Sequence, residues 1–184
     1  MVVPVLSESE LVTAPVAPAV LDAEVLAEAM VQEAIAQART RLSRRDSRLD
    51  DATLLGRAPF MASVKSGLAQ AIAAALAAND RQVRAVYIFD PGLNADSEDG
   101  VEVPQDLTLH LIVQVETASP ALEALISALD GALVERLKTR SVEVVAQRRS
   151  LIAATIITDH DIRLGVGAAG MLSAVFAPPI KLWG

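Results

Sequence analysis

The two stretches VRAVYIFD at 83–90 and DLTLHLIVQV at 106–115 decide the fold. Val83 to Phe89 is almost continuously apolar, the pattern of a strand covered on both faces. Asp90-Pro91-Gly92 ends it with turn chemistry. In the second stretch Leu107, Leu109, Leu111, Val113 and Val115 alternate with Thr108, His110, Gln114 and Glu116. That period of two predicts a strand with one richer apolar face.

Working outward, the period becomes helical on both sides. Upstream, Val64, Leu68, Ala71, Ile72, Ala75 and Leu76 fall on one face of a helix predicted from about Phe60 to Asn79. Before it, Ala27, Val31, Ala34, Ile35, Ala38 and Leu42 mark a helix over Leu21–Leu42, with Asp22 at its start and arginines at its end. Ser43 to Pro59 reads as a connection. Downstream, Ser119-Pro120 supplies a cap and a first-turn proline. Leu122, Leu125, Ile126, Leu129, Leu133 and Leu137 then form the apolar stripe of a third long helix. Val142–Ala146 and Leu151–Thr158 are predicted strands, spaced as an antiparallel hairpin. A short helix is expected around Ala168–Phe176, stopped by Pro178-Pro179, with Ile180, Leu182 and Trp183 as an apolar tail. The order α-α-β-β-α-β-β-α predicts an α+β domain: a mixed or antiparallel sheet of about four strands with helices packed on it.

At 184 residues the chain suits one domain with an arm. Residues 1–20, with Pro4, Pro15 and Pro18, read as a flexible arm. The single domain then covers 21–184, with the first helix and connection at 21–58 and the core at 60–184. Cysteine is absent, which excludes disulfides, thiolate metal sites and a cysteine nucleophile. His110 and His160 are the only histidines, too few for a multi-histidine site within one chain. The opening MVVPVLSESE lacks the basic start of a secretory signal. The longest apolar run, GLAQAIAAALAA at 67–78, is shorter than the ~20 residues of a membrane span. A cytoplasmic protein without a membrane segment is the expectation. The net charge of −7 argues against a general affinity for nucleic-acid backbones. The arginine run Arg39, Arg41, Arg44, Arg45 and Arg48 lies beside Asp46, Asp50 and Asp51 and reads as a solvated helix end.

Three stretches invite a chemical reading. G-V-G-A-A-G at 165–170 matches the dinucleotide fingerprint in letters only. The fourteen residues after Gly170 contain no acid for a ribose and no room for a β-α-β unit. Asp159-His160-Asp161 ends a predicted strand, where alternate residues point to opposite faces and cannot share one ion. The 90–106 loop carries Asp90, Asp96, Glu98, Asp99, Glu102 and Asp106, oxygen donors of the kind that hold magnesium or calcium. A calcium-loop register from Asn94 puts Asp99 at the glycine position and Gln105 at the terminal glutamate, so it does not fit. No G-x-S-x-G occurs, and His110 is expected as a hydrogen-bonded structural histidine.

The run of a helix, VRAVYIFD, a loop, DLTLHLIVQV and a further helix resembles the nucleotidyltransferase core over about residues 65–160. In that family a Gly-Ser turn after the first strand holds triphosphate. Two aspartates one residue apart at the second strand bind catalytic magnesium, which clamps the phosphoryl group in transfer. Here Asp90-Pro91 stands at the Gly-Ser turn, and Asp106 matches the first aspartate while Thr108 replaces the second. The resemblance therefore implies a degenerate, pseudoenzyme-like relative.

The expectation is an acidic α+β domain without a competent active site, metal or cofactor, acting by binding or self-assembly. A homodimer built on the 21–42 helix, the arm or the 180–183 tail is its simplest form. The alternative is a magnesium-dependent nucleotidyltransferase in which Asp106 and Asp90 catalyse and Asp106, Asp90 and Asp96 hold the metal. A ligand-binding module with a pocket between sheet and helices is a third possibility.

Overall fold

A computed structural model describes residues 22–44, 46–89, 107–140, 149–174 and 178–184. The first helix, α1 (Ala23–Arg39), starts at Asp22, whose carboxylate accepts from the N–H groups of Glu24 and Val25. Its buried face is Ala27, Met30, Val31, Ala34, Ile35 and Ala38, as the spacing predicts. That face lies inside the protein's own core, so it is not the surface a partner would meet. The 43–59 connection holds one element that the sequence reading missed, the short helix α2 (Asp51–Leu55). Asp50 caps it by accepting from Thr53 N–H at 2.7 Å, and Leu54 and Leu55 are fully buried. Helix α3 (Ala58–Asn79) follows with Pro59 in its first turn. Gly67 brings it against α1: a Cβ there would lie 3.2 Å from Ala34 Cα.

Four strands form one mixed sheet in the order β3-β2-β1-β4. Strands β1 (Val83–Ile88) and β2 (Leu109–Val115) pair antiparallel, Val86 opposite Val113 and Ile88 opposite Leu111. Helix α4 (Pro120–Arg140) then crosses over to β3 (Ile152–Thr158), which runs parallel to β2. Ser119 caps α4 by accepting from Leu122 N–H and donates its own hydroxyl hydrogen to Asp80. Strand β4 (Ile180–Trp183) adds to the other side of β1, antiparallel.

The helices cover one face of the sheet. Val86, Ile88, Leu109, Leu111, Val113 and Ile152 join the buried side chains of α1 to α4 in one cluster. The opposite face has a smaller cluster, Ile112, Ile157 and Ala169 with Tyr87, Ile162 and Met171 around them. It is closed by helix α5 (Asp159–Leu164) and a 3₁₀ segment, Gly167–Ser173. Strand β1 thus has apolar cover on both faces, the reason for its unbroken apolar run.

Three expectations need correction. The Asp159-His160-Asp161 stretch opens a helix rather than ending the strand, because Thr158 and Asp161 form a reciprocal capping box. The helix expected at 168–176 is 3₁₀ over Gly167–Ser173, the rest of that range lying partly outside the described residues. The 180–183 segment, expected as an apolar tail, is a strand paired with β1. The predicted strand at 142–146 also lies outside the described residues, and β3 takes β2 as a parallel partner instead. Among the described residues α3 alone is long and apolar enough to cross a membrane, at a mean hydropathy of 1.3; 56% of that window is buried inside the protein. The apolar run at 67–78 understated its 22-residue length.

Candidate interaction surface

Among the described residues the sheet ends in two margins of different construction. The bond from Leu109 N–H to Leu151 C=O (2.7 Å) sets the phase of the parallel ladder. With Leu109 opposite Ile152, residues 151, 153, 155 and 157 direct their backbone groups to β2. Residues 152, 154, 156 and 158 direct theirs outward. Both ends of that outward row are occupied by side chains. Asp130, on α4, accepts from the N–H groups of Leu151 (2.7 Å) and Ile152 (2.8 Å). Ser150 donates its hydroxyl hydrogen to Ile152 C=O at 3.3 Å. At the far end Asp161 accepts from Thr158 N–H at 2.8 Å and from the Thr158 hydroxyl at 2.7 Å. These two bonds, backbone first, hold the Asp161 carboxyl below its ordinary pKa, with His160 adding a smaller contribution. Between the caps, Ala154 and Ile156 have no outward backbone partner among the described residues.

The other margin, β4, is four residues long, carries exposed Lys181 and pairs with β1 through an irregular register. Short length, lysine and irregular pairing are devices that keep an edge from adding strands. Ile180 and Trp183 remain 41% and 39% exposed beside Lys181. A shallow groove of about 230 Å³ separates this strand from Ser66, Ala69 and Gln70 of α3. A second groove of about 400 Å³ lies between Ala23 and Glu24 of α1 and Ala128, Gly131 and Arg136 of α4. Its rim is an ion-pair ladder: Arg136 and Arg140 of α4 reach Glu24 and Glu28 of α1, and Arg140 also approaches Asp51. Hydrogen bonds from Gln32 and then Arg140 lower the pKa of Glu28. Both grooves are open; the first lies between α3 and the β1–β4 side of the sheet, the place expected of a ligand module's pocket, and the second lies between α1 and α4.

The acidic residues singled out in the sequence, Asp90, Asp96 and Asp106, lie outside the described residues. The strands beside them are neighbours, with Phe89 N–H donating to His110 C=O at 2.8 Å. Among the described residues no group of three His, Cys, Asp or Glu side chains converges on a metal position. Asp159 accepts instead from Gln114 Nε2 at 2.8 Å, while Tyr87 donates to Gln114 Oε1 at 3.4 Å. His110 is exposed, and its ring makes no hydrogen bond among the described residues, contrary to the structural role expected of it. In G-V-G-A-A-G, Gly165 ends α5 in the left-handed region at φ 64° and Gly167 follows at φ 55°. The glycines there serve a chain reversal. Of the arginine run, Arg39 binds Asp51 at 2.6 Å, and Arg57 just downstream binds Asp46 at 2.5 Å.

Two residues escaped the sequence reading. Asp130 sits among the apolar positions of α4, where only the position of β3 gives it a task. Lys65, at 8% exposure, is the one buried charged side chain among the described residues. A lone lysine between Val64 and Leu68 was the available signal. Comparison with known proteins adds no relative: no family model, curated protein or solved structure matches this chain.

Proposed function

We propose that this chain is a non-enzymatic α+β domain of the cytoplasm that acts through protein association, as a homo-oligomer and most simply a dimer. The observation that carries the reading is the outward row of β3. Among the described residues it is the margin of the sheet with regular register, no charged residue and no backbone partner between its two caps. Such a margin is a template for another strand. The absence of cysteine is compatible with a reducing compartment, and the net charge of −7 does not favour nucleic acid as partner. Light scattering on the eluting protein at micromolar concentration tests it: a mass of twice 19.4 kDa is expected, and monomer alone would remove the reading.

A second reading keeps the resemblance to nucleotidyltransferases, as a degenerate member or as a divergent magnesium enzyme using Asp106 with Asp90 and Asp96. It is supported by the adjacency of β1 and β2, which places Phe89 and Leu107, the described residues next to Asp90 and Asp106, at one end of neighbouring strands. A thermal-shift titration with nucleoside triphosphates tests it. A ligand at ~100 times its dissociation constant stabilises by roughly 2.7 kcal/mol. A magnesium-dependent shift lost in Asp106→Asn would favour the enzyme; no shift with any triphosphate would discard it.

A further inference from the structure

We infer that β3 pairs with β3 of a second copy, antiparallel about a twofold axis through Thr155, so that two sheets become one. This names the surface and register of the association proposed above, and it rests on that reading.

The backbone is self-complementary in this register alone. Outward groups are carried by even-numbered residues, and the caps at Ile152 and Thr158 leave Ala154 and Ile156 open. Centring on Thr155 sets Ala154 opposite the second copy's Ile156 and Ile156 opposite its Ala154. Each is a hydrogen-bonded pair exchanging both bonds, so about four ladder bonds form and all the open groups are used. A shift of one residue would set outward groups against inward ones. A shift of two would drive an open group onto a capped one.

The side chains agree on both faces. Ile152, Ala154 and Ile156 belong to the helix-covered face and Ile157 to the other. In this register Ala154 meets Ile156 on the first face and Ala153 meets Ile157 on the second, small against large each time. Thr155, exposed, meets its own copy at the axis, a favourable cross-strand pair. Charge agrees as well. The antiparallel arrangement brings exposed Arg149, which has no ion-pair partner among the described residues, to the Asp159–Asp161 end of the other copy. That complementarity is repeated by the twofold, and it is what selects a second copy over an unrelated strand.

The chain's lack of cysteine makes the test direct. Residues facing each other in a non-hydrogen-bonded antiparallel pair have Cα atoms about 4.5 Å apart, within disulfide range. Thr155→Cys, oxidised with diamide, is expected to give a covalent dimer, while Thr139→Cys on the exposed side of α4 stays monomeric on a denaturing gel. Thr155→Lys and Thr155→Glu are expected to run as monomers separately and to recover the dimer mass when mixed in equal amounts. Circular dichroism on each variant establishes that it is folded. A dimeric wild type, with no crosslink in Thr155→Cys and no change of mass in Thr155→Lys, would overturn this register while leaving association intact. A wild type that is monomeric throughout would overturn both.

Discussion

The two margins of one four-stranded sheet show how differently edges can be finished. Strand β4 is guarded by brevity, Lys181 and irregular pairing, and it is anchored chiefly through Leu182, which packs against the main core. Strand β3 is seven residues long and regular along its whole register with β2, and it is trimmed only at its ends by Asp130 and Asp161. One edge is closed by its own sequence. The other is closed by side chains borrowed from helices at either end, and its middle is left open. A strand that needs distant residues for its finish is also one whose finish another chain can complete.

The largest effect that sharpens this contrast is in the core beneath the two strands. Ile152→Ala removes a buried side chain of β3 and is expected to cost roughly 2–5 kcal/mol. Leu182→Ala on β4, where the residue is only half-buried, should cost about half as much. Urea midpoints with unchanged slopes would establish the difference; equal losses would mean that the margins are equally deep. Next comes Asp130→Ala, which strips the carboxylate from two backbone N–H groups and is expected to cost about 1–3 kcal/mol. Faster hydrogen exchange at Leu151 and Ile152, with β4 unaffected, is the confirming pattern.

Acid should also separate the margins. The Asp161 carboxyl has its pKa lowered by the Thr158 bonds. Asp50 is lowered likewise, first by the Thr53 backbone N–H. A group whose folded pKa lies below its unfolded value stabilises fully above the unfolded value, here 3.8 for both aspartates. That contribution is lost as pH falls through the folded value. Protection of Thr158 N–H should therefore fall below about pH 4, while β4, with no acid in 178–184, keeps its protection. The smallest effect is expected from Lys181→Thr. Stability should change by no more than about 0.5 kcal/mol, but light scattering at rising concentration should report new association through the unguarded β4 edge.

Much of the architecture was legible because burial on one side imposes a period. The helices predicted over 21–42 and 60–79 appear as Ala23–Arg39 and Ala58–Asn79, and the strand at 151–158 as Ile152–Thr158. Ser119-Pro120 marked the start of α4 correctly. Helix α2 was hidden because five residues are too few to display a helical period, although Asp50 ahead of Asp51 was a cap in plain view. Strand β4 was hidden because Ile-Lys-Leu-Trp beside Pro178-Pro179 has no alternation long enough to distinguish a strand from a tail. Helix α5 was misread because Thr158 closes β3 and opens the capping box at once, one residue serving two elements. The carboxylates Asp90, Asp96 and Asp106 lie outside the described residues, and the surface that carries the proposal was not singled out from the sequence at all.

The sequence by itself determined the class of the fold, since apolar spacing alone commits each long segment to a helix or a strand and to a buried face. It also determined the exclusions that follow from having no cysteine and two histidines. Only the tertiary structure decided which strand is an edge, which backbone groups on it face outward, and that Asp130 caps the first of them. Those depend on pairing partners distant in the chain, and hydrogen-bond direction along a strand is set by the neighbour, not by the residue that carries the bond.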